Sequence, residues 1–173
     1  RRNYLLLLAM FIVSVLVLVG CGEREGSDAG LARLESGLAG LTFNDDQFKR
    51  PDEFDILTSL DNDWGTARGS DWSARWTGFI ESPVDGEVTF SAEANDGLKL
   101  TIGDAVVIDG LSSKGARLGT VLLQKGKKSP LTLHFTSNRC IAKLRLFWQW
   151  PGTAKTIVPT ETLSHDIAII DEI

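Results

Sequence analysis

Residues 86–102 read GEVTFSAEANDGLKLTI, and their alternation decides the fold. Val88, Phe90 and Ala92 alternate with Thr89, Ser91 and Glu93, and after Asn95-Asp96-Gly97 the pattern resumes as Leu98, Leu100 and Ile102 around Lys99 and Thr101. Successive side chains of a strand point to opposite faces, so period two places one face in a core and the other in water. The same alternation predicts strands at Leu131, Leu133 and Phe135, and at Ala142, Leu144, Leu146 and Trp148. Between them stand Asp85-Gly86, Asp96-Gly97, Gly103-Asp104, Asp109-Gly110 and Lys125-Gly126. Such pairs favour tight hairpins because the backbone there reaches positive φ. Short strands so punctuated, with no alternation of strands and helices, predict an all-β fold, an antiparallel β-sandwich.

Outward from this stretch, the chain has 173 residues, 43% hydrophobic and 24% charged, a globular composition with room for one ordinary domain. Arg1-Arg2 forms a positive start, and residues 4–19 are apolar apart from Ser14. That run is shorter than the roughly 20 residues a spanning helix needs and suits the helical core of an export signal. Leu18-Val19-Gly20-Cys21 resembles the lipobox of bacterial lipoproteins, which implies a signal peptide over 1–20 and a lipidated Cys21. That resemblance implies two or three acyl chains, palmitate among them, on Cys21, enough for a stable membrane anchor where one chain holds only marginally. Gly22 follows, with no Asp to resemble an inner-membrane retention signal, so the outer membrane or the cell surface is the expected address. Residues 21–36 then read as the lipidated Cys and a flexible polar tether, 37–164 as the sandwich and 165–173 as a C-terminal tail. The net charge is −5, and an acidic chain repels phosphate backbones, so no nucleic-acid partner is expected.

A family resemblance runs through the same residues. Gly37-Leu38, Gly40, Phe43-Asn44, Asp63-Trp64-Gly65 and the run from Arg75 to Ile80 match the opening landmarks of the protective-antigen-type, or PA-fourteen, domain. Asn95-Asp96-Gly97-Leu98-Lys99-Leu100 and Val107-Ile108-Asp109-Gly110 resemble its centre, and Leu144-Arg145-Leu146, Trp148 and Ile157-Val158-Pro159 its close. The resemblance implies a β-sandwich that often acts as a glycan-binding module. In adhesins of this family two adjacent Asp residues, joined by a cis peptide, hold a calcium ion that binds sugar hydroxyls. The matching positions are Asn95 and Asp96, with Asn138 as a further ligand; Ile141 stands where another Asp is often found. The chain departs from the calcium pattern at two positions, so any calcium site is expected to be weak, with Asp96 its one carboxylate.

Each candidate carries two readings. Asn95-Asp96-Gly97 is a tight turn or a ligand loop, and Asn138 caps a loop or joins the site. Trp148 shares the phase of Leu144 and Leu146 and is expected in the core. Trp150, before Pro151, either stacks on a sugar or packs at the sheet edge. Trp64 and Trp72 sit in a polar loop, Asp61 to Asp71, and either pin it down by packing or serve a ligand. His134 falls on an outward phase and His165 in the tail, with no nucleophile motif near either, so no enzyme is expected. Cys140 is in phase with Ala142 and reads as a buried thiol. The expected function is therefore an envelope-anchored lipoprotein carrying a carbohydrate-binding sandwich, with calcium assistance as an option. Its rival is a structural or protein-interaction module without metal or sugar. Changing Cys21→Ser should abolish fatty-acid labelling and partitioning into detergent; labelling that persists in that variant would contradict the lipobox.

Overall fold

The computed structural model describes residues 33–111, 117–138 and 141–168. The leader, Cys21 and Cys140 lie outside the described residues. Thirteen strands follow one another: β1 Leu34–Ser36, β2 Leu38–Phe43, β3 Pro51–Leu57, β4 Asp61–Gly65, β5 Trp72–Glu81, β6 Gly86–Ala94, β7 Gly97–Ile102, β8 Ala105–Gly110, β9 Arg117–Leu123, β10 Lys128–Ser137, β11 Ala142–Gln149, β12 Thr156–Ile157 and β13 Leu163–Asp166. They form two antiparallel sheets. The first runs β1-β13-β5-β10-β7-β8, with β2 pairing β5 and β3; the second runs β12-β11-β6-β9, with β4 on β11.

The alternation seen in the sequence maps onto the two inner faces. Leu98, Leu100, Ile102, Leu131, Leu133 and Phe135 come from the first sheet. Val88, Phe90, Ala92, Ala142, Leu144, Leu146 and Trp148 come from the second, and all are buried in one cluster. Trp64 and Trp72 do pin their segment by packing, although Asp61–Gly65 is not loop but strand β4, paired with β11. Trp64 of the second sheet stacks on Trp76 of the first, with ring centroids 6.2 Å apart and planes 6° apart. It meets Trp72 edge-on at 5.4 Å and Phe135 at 5.5 Å. Aromatic pairs in such geometries are worth about 0.5–1.5 kcal/mol beyond area burial. Asp61 and Asp63, on the outer side of β4, pair with Arg145 at 2.6 Å and Lys143 at 4.0 Å.

Several local expectations are corrected. Asp109-Gly110 is no turn: both residues lie in β8, where Gly110 pairs with Leu98. Asp96-Gly97 makes no hairpin either, because β6 belongs to one sheet and β7 to the other. His165 is not in a free tail; it sits in β13, 1% exposed, with Nδ1 3.2 Å from the Gly37 carbonyl. The pairing of β1 with β13 likewise brings Leu34–Ser36 into the sheet rather than into a tether.

The aromatic cluster yields a contrast in stability. Trp76 is fully buried while Trp150 is only partly so. Trp76→Ala should lower unfolding free energy by about 3–5 kcal/mol, and Trp150→Ala by clearly less, as read by denaturant titration of the full chain. Equal losses would mean that the inter-sheet cluster is not the centre of the core.

Candidate functional site

The strand register gathers the chemistry at one end of the sandwich. β6 ends beside the start of β11, where Leu144 faces Ala94, and beside the start of β9, where Arg117 faces Ala92. In the other sheet β7 begins at Gly97 opposite Thr136 of β10, and β8 ends at Gly110 opposite Leu98. The links β6–β7, β8–β9 and β10–β11 therefore all change sheets at this end. Gly97 is required there by a close approach rather than by positive φ. A Cβ on it would stand 2.2 Å from Thr136 Oγ1 and 2.3 Å from the Leu111 carbonyl.

Asp96 turns inward. It is 7% exposed, and the Ser137 hydroxyl donates to its Oδ2 at 3.1 Å. Arg117, on the inner phase of β9 and 5% exposed, lies within electrostatic reach. Burial pushes the Arg117 guanidinium below its ordinary value, and attraction to Asp96 works in the opposite direction. Gly110 makes room for this side chain: a Cβ there would stand 2.4 Å from Arg117 Nε and 2.7 Å from its Cδ. Carboxylate, guanidinium and hydroxyl thus come from the β6–β7 link, the start of β9 and the end of β10. Burying a lone charge is costly, and each charge here lowers the cost of the other.

This geometry does not fit a calcium site. Calcium takes six to eight oxygens and favours several carboxylates. The carboxylate expected as its ligand, that of Asp96, faces the interior and Ser137, beside a resident positive charge. Asn95 is exposed, but its amide Nδ2 donates to the Ile141 carbonyl at 3.3 Å. Asn138 is exposed beside Ser137, and Ile141 is 54% exposed. The Asn95–Asp96 peptide is trans. Among the described residues no three His, Cys, Asp or Glu side chains stand together as a metal-binding group.

Next to Asn95 a groove of about 650 Å³ runs along the outer face of β6 and β11, lined by Ser91, Glu93, Asn95, Leu118, Lys143, Gln149 and Lys155 among others. The strands place these side chains there because their inner neighbours are core residues. Lys155 bonds Glu93 at 3.2 Å and lies 4.1 Å from the Phe147 ring centre, so the groove's charges are held in place. Trp150 does not join Asn95, Asp96 and Asn138. It follows β11 at the far end, about 25 Å of strand away, and packs edge-on to Trp148 at 5.7 Å. Sequence reasoning missed Arg117, Ser137, Ser91 and Gln149. Ser137 carried a signal, a polar residue in phase with Phe135; Arg117 carried none that is local.

The PA14 domain matches residues 34–162. Anti-sigma-I factor RsgI3 of Acetivibrio thermocellus is 29% identical over 136 residues, covering 74% of this chain and 21% of its own. The chain thus spans about a fifth of that relative's length. An anti-sigma factor domain-containing protein from Clostridium clariflavum superposes with a TM-score of 0.70 at 27% identity, over 75% of this chain and 47% of that one. The A domain of epithelial adhesin 6 from Candida glabrata, solved with Galβ1-3GlcNAc, gives 0.64 at 13% identity, over 79% and 89%. At that identity the likeness is one of fold.

The buried charges generate a measurable coupling. In a double-mutant cycle of Asp96→Asn and Arg117→Gln, the interaction energy should fall in the range of about 0.5–3 kcal/mol. Strictly additive losses would show that the two side chains do not stabilise each other.

Proposed function

The chain belongs to the PA14 domain family, and on that premise we propose that it is an exported carbohydrate-binding module, anchored through Cys21, that holds its ligand without a metal ion. The observation that carries this reading is the groove beside Asn95. Sugar rings present hydroxyls and apolar C–H faces, and a concave site with a few fixed polar groups beside an apolar surface suits both. Ser91, Asn95 and Gln149 supply hydroxyl and amide groups, Glu93 and Lys155 a fixed ion pair, and Leu118, 66% exposed, an apolar platform. The lining stretches from Lys143 to Gln149 along β11, about 20 Å of strand and long enough for several sugar rings. Kinship of fold with an adhesin domain solved with a disaccharide supports the ligand class. The apolar leader and lipobox-like residues 1–21 support export and anchoring.

In this account Arg117 supplies, from within the chain, the positive charge that organises the Asp96 end. Asn95 then faces outward as a neutral group beside the groove, Asn138 is an exposed neutral group next to Ser137, and the module acts by binding, with no chemical step. A second reading, a protein-interaction module on the envelope, draws on Leu118 and on Leu122, 78% exposed, along β9. It also draws on the likeness to an anti-sigma factor domain-containing chain.

A glycan array probed with the full chain in detergent separates the two. Binding to a defined oligosaccharide should survive chelator, fall about tenfold in Asn95→Ala and in Gln149→Ala, and stay unchanged in Trp150→Ala. No bound glycan across a broad array would hand the case to the second reading.

A further inference from the structure

On the opposite side of the sandwich, the outer face of the first sheet carries a row of basic side chains. Arg75 of β5 faces His134 of β10, and His134 faces Lys99 of β7. Three adjacent strands thus place guanidinium, imidazole and ammonium side by side over about 10 Å. The other cations of the sheet faces have carboxylate partners: Lys128 with Glu81 at 3.1 Å, Lys143 with Asp63 at 4.0 Å and Arg145 with Asp61 at 2.6 Å. Among the described residues no carboxylate comes within ion-pair distance of Arg75 or Lys99. In a chain of net charge −5, a row of cations whose cross-strand carboxylate, Asp109 opposite Lys99, makes no ion pair with it requires an explanation.

The row is also built into the fold. The link between β2 and β3 lies against this face, with Phe48 meeting the His134 ring edge-on at 5.3 Å. The Arg75 guanidinium lies 5.7 Å from the Phe43 ring centre, and Phe43 in turn meets Phe48 at 5.7 Å. Within that link Asp45 is already occupied by the Lys49 and Arg50 amides and the Arg50 side chain, which leaves it committed away from the row. The Nδ1 of His134 is buried and has no hydrogen-bond partner among the described residues. At the far end Asp109 of β8 faces Lys99 and is exposed.

We propose that Arg75, His134 and Lys99 form a binding site for an oxyanion carried on an acidic saccharide, a carboxylate or a sulfate ester. The class of carrier rests on the carbohydrate-binding reading; the oxyanion rests on the row itself. Guanidinium and ammonium groups donate charge-assisted bonds to such an anion, and the imidazole between them adds a third donor through Nε2, its Nδ1 being buried. Asp109 bounds the site and repels an anion that extends past Lys99. A shallow sheet face flanked by the β2–β3 link suits a group displayed along a polymer better than an enclosed small anion.

His134 provides a readout that a merely structural row would not move. Burial first, and then Arg75 and Lys99, push its pKa below the ordinary histidine value. An anion seated in the row reverses the local sign and must raise it. The test follows the His134 imidazole protons by NMR through a pH series in the full chain, alone and with four probes: an oligogalacturonate, a sulfated oligosaccharide, a neutral oligosaccharide of the same length and phosphatidylglycerol vesicles. One acidic probe, or both, should raise the His134 pKa and the neutral probe should not; which acidic probe acts identifies carboxylate or sulfate. Arg75→Gln and Lys99→Gln should each weaken that binding about five- to tenfold, and Asp109→Asn should strengthen it. Asn95→Ala and Gln149→Ala, which report on the groove, should leave it unchanged. An unmoved His134, acidic binding that persists in Arg75→Gln/Lys99→Gln, or a response only to phosphatidylglycerol vesicles would each overturn the site. Loss of neutral-glycan binding alone would instead count against the groove.

Discussion

The structure depends on compensating one buried carboxylate where the chain repeatedly changes sheets. Asp96 sits at the β6–β7 link, and the interior offers it Ser137 at 3.1 Å and the charge of Arg117. A carboxylate so placed would be prohibitively costly alone. Because its partners come from the start of β9 and the end of β10, satisfying it also fixes where those strands begin and end. The outward groups follow from that: with Asp96 turned in, Asn95 is turned out, and the groove along β6 and β11 opens beside it. Gly97 and Gly110 belong to the same constraint, since side chains there would collide with the neighbouring strands or with Arg117 itself.

The core was legible in the sequence because period two is a local signal. Val88, Phe90 and Ala92, or Leu131, Leu133 and Phe135, declare their inner face without knowledge of any partner strand. The landmarks from Gly37 to Pro159 likewise pointed to the family whose domain matches residues 34–162. What failed was whatever depends on which strand lies next door. Asp96-Gly97 has the composition of a hairpin turn, yet it joins two different sheets, a fact carried by pairing over tens of residues. Asp109-Gly110 has the same composition and lies inside a strand, where the glycine makes room for Arg117. Trp150 shared a phase with Trp148 but stands at the opposite end from Asn95, a separation visible only once the register is known. Arg117 is the clearest case, because nothing adjacent to it marks an inward arginine.

The two outer faces treat charge differently. On the second sheet Arg145 and Lys143 are bound to Asp61 and Asp63, and Lys155 to Glu93 and the Phe147 ring, which leaves a polar but nearly neutral surface. On the first sheet Arg75, His134 and Lys99 line up with an aromatic flank, and among the described residues no ion pair neutralises Arg75 or Lys99. An acidic chain that concentrates open positive charge on one face and hydroxyl and amide groups on another can present two chemistries to one heteropolymer.

The claim on which the account turns is that the crossover end is organised by the chain's own Arg117 rather than by a bound cation. Amide hydrogen exchange of the full chain, compared in chelator and in millimolar calcium, tests it most directly. The account predicts the same protection at Gly97, Arg117 and Ser137 in both conditions, and loss of that protection in Arg117→Gln whatever the calcium concentration. Protection that appears only when calcium is present would contradict it.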